Sequence, residues 1–202
     1  MSARQVSIDE LIAVWLMREK ETILTLAKQY GLLVRLRISE QNILTIVNEP
    51  NYSSVYENRI REMLLQFYRS PLLPLLRDGV WYEETMSEDE FQNLMVIHDK
   101  NWITLSDNTG SLATVATNVS KAHYQSKEPE INGMMRTIKN ILGSKIDTRL
   151  FIIKSKQSES MTILEGNKNA VAIYIRHFIE KEIFQPFKFF MGYLGSKSFW
   201  EW

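Results

Sequence analysis

No cysteine occurs anywhere in the chain. A disulfide framework, a zinc–thiolate site and a cysteine nucleophile are all excluded. Histidine is scarce: His98, His123 and His177 are far apart and share no paired spacing, which disfavours a histidine metal site. No apolar run is long enough to span a bilayer, and the first residues lack a basic-then-apolar leader pattern. The expectation is a soluble, cytoplasmic protein without a membrane partner. Net charge is absent too. Lys and Arg number 24, and so do Asp and Glu, which disfavours a globally basic nucleic-acid binder.

What is present is ordinary globular material. The 202 residues are 45 % hydrophobic and 24 % charged, and a chain of this length buries roughly 70 % of its unfolded surface without staples. One compact domain overall is expected, with residues 1–100 as a mainly helical N-terminal part and 101–202 as a second region. The charge is unevenly spread. Residues 126–202 carry 12 basic and 8 acidic side chains, residues 1–125 carry 12 and 16. The C-terminal region is the friendlier one to an anion, and the acidic N-terminal part could meet a protein partner.

Hydrophobic spacing sets the expected elements. Ser7 and Glu10 form a capping pattern before a helical stripe that runs to Tyr30, where Gly31 ends it. Leu32–Ile38 and Ile43–Val47 alternate well enough for a hairpin. A helix is expected from about Ser53 to Tyr68. Pro71 and Pro74 argue against a regular helix over 69–79. A short capped helix follows Ser87. Trp102–Leu105 reads as extended, Leu112–Val119 as a helix of small residues, and Ile131–Leu142 as a helix closed by Gly143. Strands are expected at Leu150–Ile153, Met161–Leu164 and Pro186–Tyr193, with a helix from Ala170 to about Lys181. The fold class is α+β, a mixed sheet in the C-terminal half with helices packed around it.

Four stretches could carry chemistry. The first is "LEGNKNA", Leu164–Ala170, a strand end, a glycine turn and a helix start. Gly166 permits a sharp turn and close approach of a ligand. The amides after it, with Asn167 and the charge of Lys168, could hold phosphate. Glu165 could act as a general base or hold Mg2+. The same residues also make a plain turn in which Asn167 caps the helix. The second is "SDNTGS", Ser106–Ser111, where Asp107, Thr109 and Ser111 offer oxygens around Gly110 in front of another helix start. A self-capped loop is the competing reading. The third is Arg69-Ser70-Pro71 with Arg77-Asp78, a possible carboxylate or phosphate contact, or surface arginines beside a helix end. The fourth is the aromatic tail, in which Trp200 and Trp202 beside Lys197 could stack a base or close the core.

"ILEGNKNAVAIY" resembles the EGNHR-A-x-A box of the ParB/sulfiredoxin-like superfamily. Glu165, Gly166, Asn167, Ala170 and Ala172 match the box. Lys168 and Asn169 stand where His and Arg are expected. The resemblance covers Leu150–Trp202, and more weakly "LSDNTGSLATVA", Leu105–Ala116. It implies a nucleotide-phosphate site in a strand–turn–helix unit within the C-terminal half. Loss of Arg removes a bidentate phosphate fork, and loss of His removes a proton carrier active near neutral pH. Sulfiredoxin chemistry itself needs a cysteine and is excluded.

Two functions follow as expectations. One is a group-transfer enzyme that binds a nucleotide, a nucleotide-sugar or another phosphorylated donor and passes phosphoryl or glycosyl to DNA or a modified base. Glu165 would be catalytic. Gly166, Asn167, Lys168, Thr109 and Ser111 would hold phosphate, and Arg69, Asp107 and Trp200 would contact substrate. The other is a non-catalytic binding module that retains a degenerate box. Direct DNA binding without chemistry is a third, weaker reading.

Overall fold

The computed structural model describes residues 3–121, 126–155 and 160–195. The chain divides into two compact units, Val6–Gly79 and a second formed by Met1–Gln5 with Val80–Trp202. The fold is α+β.

The first unit follows strand β1 (Arg4–Val6) and is helical throughout: α1 (Ile8–Arg18), α2 (Lys20–Gln29), α3 (Leu32–Leu36), α4 (Glu40–Asn48), α5 (Val55–Arg69) and α6 (Leu72–Asp78). The Ser7 hydroxyl caps α1 by accepting the Glu10 amide. The single helix expected up to Tyr30 breaks at Glu19 into α1 and α2. The expected hairpin is absent. Leu32–Ile38 contains α3, bounded by left-handed Gly31 and Arg37, and Ile43–Val47 belongs to α4. Ser39 caps α4, and Ile43, Ile46 and Val47 bury one face of it. A short apolar run fits a period of two or of 3.6 about equally, and here the serine cap decides. Residues 72–78 are also helical, against expectation, because both prolines are tolerated. Pro71 is the N-cap of α6, and Pro74 lies in the first turn, where an amide has no intrahelical acceptor to lose.

Arg61 is buried in this unit and holds the turn between α4 and α5. Its guanidinium donates to the Ile46 carbonyl at 3.1 Å, the Asn51 carbonyl at 3.1 Å, the Glu57 carboxylate at 3.2 Å and the Asn58 side-chain oxygen. A buried charge needs such a set of acceptors to be tolerated.

The second unit is a mixed sheet with helices. Its strands are β1, β2 (Val80–Met86), β3 (Met95–Val96), β4 (Phe151–Ser155), β5 (Met161–Glu165) and β6 (Phe187–Leu194), in the spatial order β1-β2-β6-β4-β5-β3. β2 runs antiparallel to β6, β6 parallel to β4, β4 antiparallel to β5, and β5 parallel to β3. The helices are α7 (Glu88–Gln92), α8 (Lys100–Leu105), α9 (Leu112–Ser120), α10 (Pro129–Leu142) and α11 (Asn167–Tyr174), the last continued by one π-turn over Ile175–Ile179. Trp102–Leu105 is helical rather than extended because Asp99 caps α8 through the Asn101 amide.

Phe189 and Met191 of β6, Ile152 of β4 and Ile163 of β5 pack into one cluster with buried residues of α7–α11. At the alternate positions, the Phe151 ring packs against Phe190 at 5.0 Å and against Trp81 at 6.4 Å, on the opposite face. Both faces of the central strands are therefore apolar, which explains the unbroken runs in β4 and β6.

Candidate functional site

The chain leaves β5 at Glu165, turns at Gly166 and enters α11 at Asn167. Gly166 has φ of 94°, the left-handed region that favours glycine. The first-turn amides of α11 have no intrahelical acceptor, which gives this corner its intrinsic attraction for an anion. Two features oppose it. The Glu165 carboxylate folds back and accepts the Gly166 amide at 3.0 Å, so a negative group already sits at the helix start. Asn167 is buried, and both ends of its amide side chain are engaged: Oδ1 accepts the Ile97 amide at 3.1 Å and Nδ2 donates to the Ile163 carbonyl at 3.3 Å. Asn167 is thus a clamp between β5 and the residue after β3. Lys168 is exposed at the mouth of the turn.

Ser106–Ser111 is a closed knot of hydrogen bonds. Asp107, Asn108 and Gly110 all have left-handed backbones, a conformation that Asn, Asp and Gly tolerate best. The buried Ser106 hydroxyl donates to the Ile103 carbonyl at 2.9 Å and accepts the Gly110 amide at 2.9 Å. Thr109 donates to the Ser106 carbonyl at 2.7 Å, and its hydroxyl accepts the Ser111 amide at 3.2 Å. Ser111 caps α9 through the Thr114 amide. The Asp107 carboxylate accepts from buried Asn118, whose Nδ2 also donates to the Leu105 carbonyl. The self-capped alternative thus describes the loop's side chains.

The structure does bring these two loops together. β3 pairs with β5 through Val96 and Ile163, and on its other side Met95 bridges to Ser111 while the Val96 amide donates to the Gly110 carbonyl at 2.8 Å. The starts of α9 and α11 therefore flank one short strand. Glu165, Gly166, Asn167, Lys168, Thr109, Ser111 and Asp107 all belong to this corner. Arg69 does not: it lies in the helical unit, exposed, with its guanidinium 5.3 Å from the Tyr68 ring centroid. Trp200, Trp202 and Lys197 lie outside the described residues. Among the described residues no group of three or more His, Asp or Glu is placed to hold a metal ion, and no helix is long and apolar enough to cross a membrane.

Two further arrangements stand out, the first around Ser70 and Arg77 of the third candidate stretch. In the helical unit, Arg59, Glu62, Gln66 and Ser70 along α5 face Leu73 and Arg77 of α6 across a cavity of about 200 Å3. The spacing 59, 62, 66, 70 is a helical stripe and was available in the sequence. The partner helix was not, because the two prolines hid α6. In the sheet unit, His177 joins distant segments. Its Nε2 lies 2.6 Å from the Glu88 carboxylate and its Nδ1 lies 2.6 Å from the Glu182 carbonyl, between the rings of Phe178 and Phe184. With both ring nitrogens engaged, His177 braces the π-turn against α7.

No family model matches the chain, and no curated protein or solved structure matches it either.

Proposed function

We propose that this protein is a non-catalytic binding module in which the strand–glycine–helix corner serves as a scaffold. The observation that carries this reading is Asn167. It is one of the box residues whose side chain the phosphate reading requires, and it is buried and engaged with two backbone groups of its own fold. The neighbouring oxygens of Asp107, Thr109 and Ser111 are spent likewise, and the Glu165 carboxylate lies on the Gly166 amide. Lys168 and Asn169 also lack the bidentate fork and the proton carrier of the box they resemble.

A second reading has its own support. The first-turn amides of α11 and the exposed Lys168 suit one phosphate group of a nucleotide, a nucleotide-sugar or another phosphorylated donor, with or without Mg2+. On that reading the chain is a ParB/sulfiredoxin-like group-transfer enzyme with Glu165 as base, acting on a DNA or modified-base acceptor.

Thermal unfolding with nucleoside triphosphates, nucleotide-sugars and Mg2+ separates the two. The binding-module reading expects no donor to raise the midpoint. A rise of several degrees for one donor, abolished in Lys168→Ala or Glu165→Ala, would overturn it in favour of the enzyme.

A further inference from the structure

We infer that the cleft between α5 and α6 is a docking site for an acidic, apolar-flanked segment of a partner protein. The inference rests on the binding-module reading and adds where the partner sits and what it offers.

The cleft has two halves. Its charged half comes from α5 and α6. Arg77 donates to the Glu62 carboxylate at 2.7 Å across the two helices, so that pair is internally neutral. Arg59 also lines the cleft, is exposed, and has no acceptor among the described residues. The lining therefore carries one uncompensated positive charge, beside the hydrogen-bonding groups of Gln66 and Ser70. Its complement is a carboxylate. Arginine presents a planar fork that takes a carboxylate bidentately.

The apolar lining is Met63 of α5 with Leu73 and Pro74 of α6, and further exposed apolar residues of α5 lie beside the cleft. Met63 lines the cleft one turn from Arg59 and is 36 % exposed, and Phe67, one turn further, is 38 % exposed. The Phe67 ring packs edge-on against Tyr30 at 5.7 Å, so it is held at the surface. Tyr56, one turn before Arg59, is 61 % exposed. The outer stripe of α5 thus reads aromatic, cation, methionine, aromatic, residue types enriched at protein–protein interfaces. Tyr56 on one side of Arg59, and Met63 with Phe67 on the other, suit apolar residues on both sides of the incoming carboxylate.

Size selects a side chain over a cofactor. The cavity of about 200 Å3 falls below the roughly 300–1,000 Å3 of pockets that enclose a whole drug-sized ligand. The wall is stiff: Pro71 and Pro74 fix the start of α6, so the cleft loses little freedom on binding.

A peptide array tests this. Each member carries one Glu or Asp flanked by Leu, Ile or Phe at helical and extended spacings, and fluorescence anisotropy follows the best members. The expected result is saturable binding to the intact protein, weakened about tenfold or more by Arg59→Glu and by Gln in place of the peptide acid. Binding should also fall as salt is raised. Arg59 is exposed and unpaired, so the variant folds, which circular dichroism checks. If no acidic member binds, or Arg59→Glu binds equally well, the inference is overturned. Concentration-dependent dimers of the intact protein that Arg59→Glu abolishes would overturn it in favour of a second copy of the chain. These results are independent of the donor panel above: peptide binding that survives discovery of a donor leaves this inference standing and removes only the non-catalytic reading.

Discussion

Asn167 is the residue on which the corner turns. Replacing it with alanine strands the Ile97 amide and removes one donor from the Ile163 carbonyl. An unsatisfied buried polar group costs about 1–3 kcal/mol, so Asn167→Ala should lose about that much in urea denaturation. Lys168→Ala, exposed and next in sequence, should stay within about 0.5 kcal/mol. Equal losses at both positions would refute the division into clamp and surface. From the sequence, Asn167 was equally a helix cap and a phosphate ligand. A side-chain amide fits both roles, and only the position of Ile97, 70 residues away, distinguishes them. Glu83 gives a pH prediction at the same scale. Its carboxyl is held below the ordinary 4.5 chiefly by the Lys188 ammonium at 2.8 Å and further by Arg4, against the opposing effect of burial. A depressed carboxyl contributes stability that is complete above 4.5 and disappears as pH falls through its lowered value. The acid-induced loss of stability below that pH should be smaller in Lys188→Met than in the native chain. An unchanged acid profile would show that the pair contributes nothing.

At the scale of elements, close approach decides the sheet. Trp81 of β2 lies opposite Gly192 of β6, and a Cβ at Gly192 would sit 2.7 Å from the indole ring. Glycine in a strand interior commonly marks such a contact. Gly192→Ala should cost about 1–3 kcal/mol through overpacking. Combining it with Trp81→Leu should recover part of that loss, and strict additivity in the double-mutant cycle would exclude the contact as the cause. Elements with a strong local signal were legible: α5, α9, α10, β4, β5 and β6 all lie close to their expected spans. β1 and the seven-residue β2 had no expected counterpart; the other failures share a cause. α3, α4 and α8 are short and apolar, α6 hides behind prolines, and β3 is two residues long. In each, local pattern fits two conformations, and packing or a single cap selects one.

At the scale of the whole molecule, connectivity gives the last prediction. β1 and β2 are neighbours in the sheet, yet Val6–Gly79 lies between them in sequence as a separate compact unit. The helical unit is thus an insertion between adjacent strands, the arrangement in which domain insertion is tolerated. Replacing residues 7–79 with a short glycine–serine loop should leave a sheet unit that unfolds cooperatively, as followed by circular dichroism and tryptophan fluorescence. A shortened chain with no cooperative transition would show that the sheet depends on the helical unit.

The sequence by itself determined the fold class, the helices opened by Ser7 and Ser87, and the strand–glycine–helix unit. These follow from composition, hydrophobic period and backbone preference, all local properties. It also excluded thiol chemistry, since no cysteine is present. Only the tertiary structure decided what the polar residues do. Hydrogen-bond partners are set by distance in space: Asn167 meets Ile97, Asp107 meets Asn118, and His177 meets Glu88. A side chain becomes a ligand-binding group or a clamp according to which backbone groups the fold brings within reach of it.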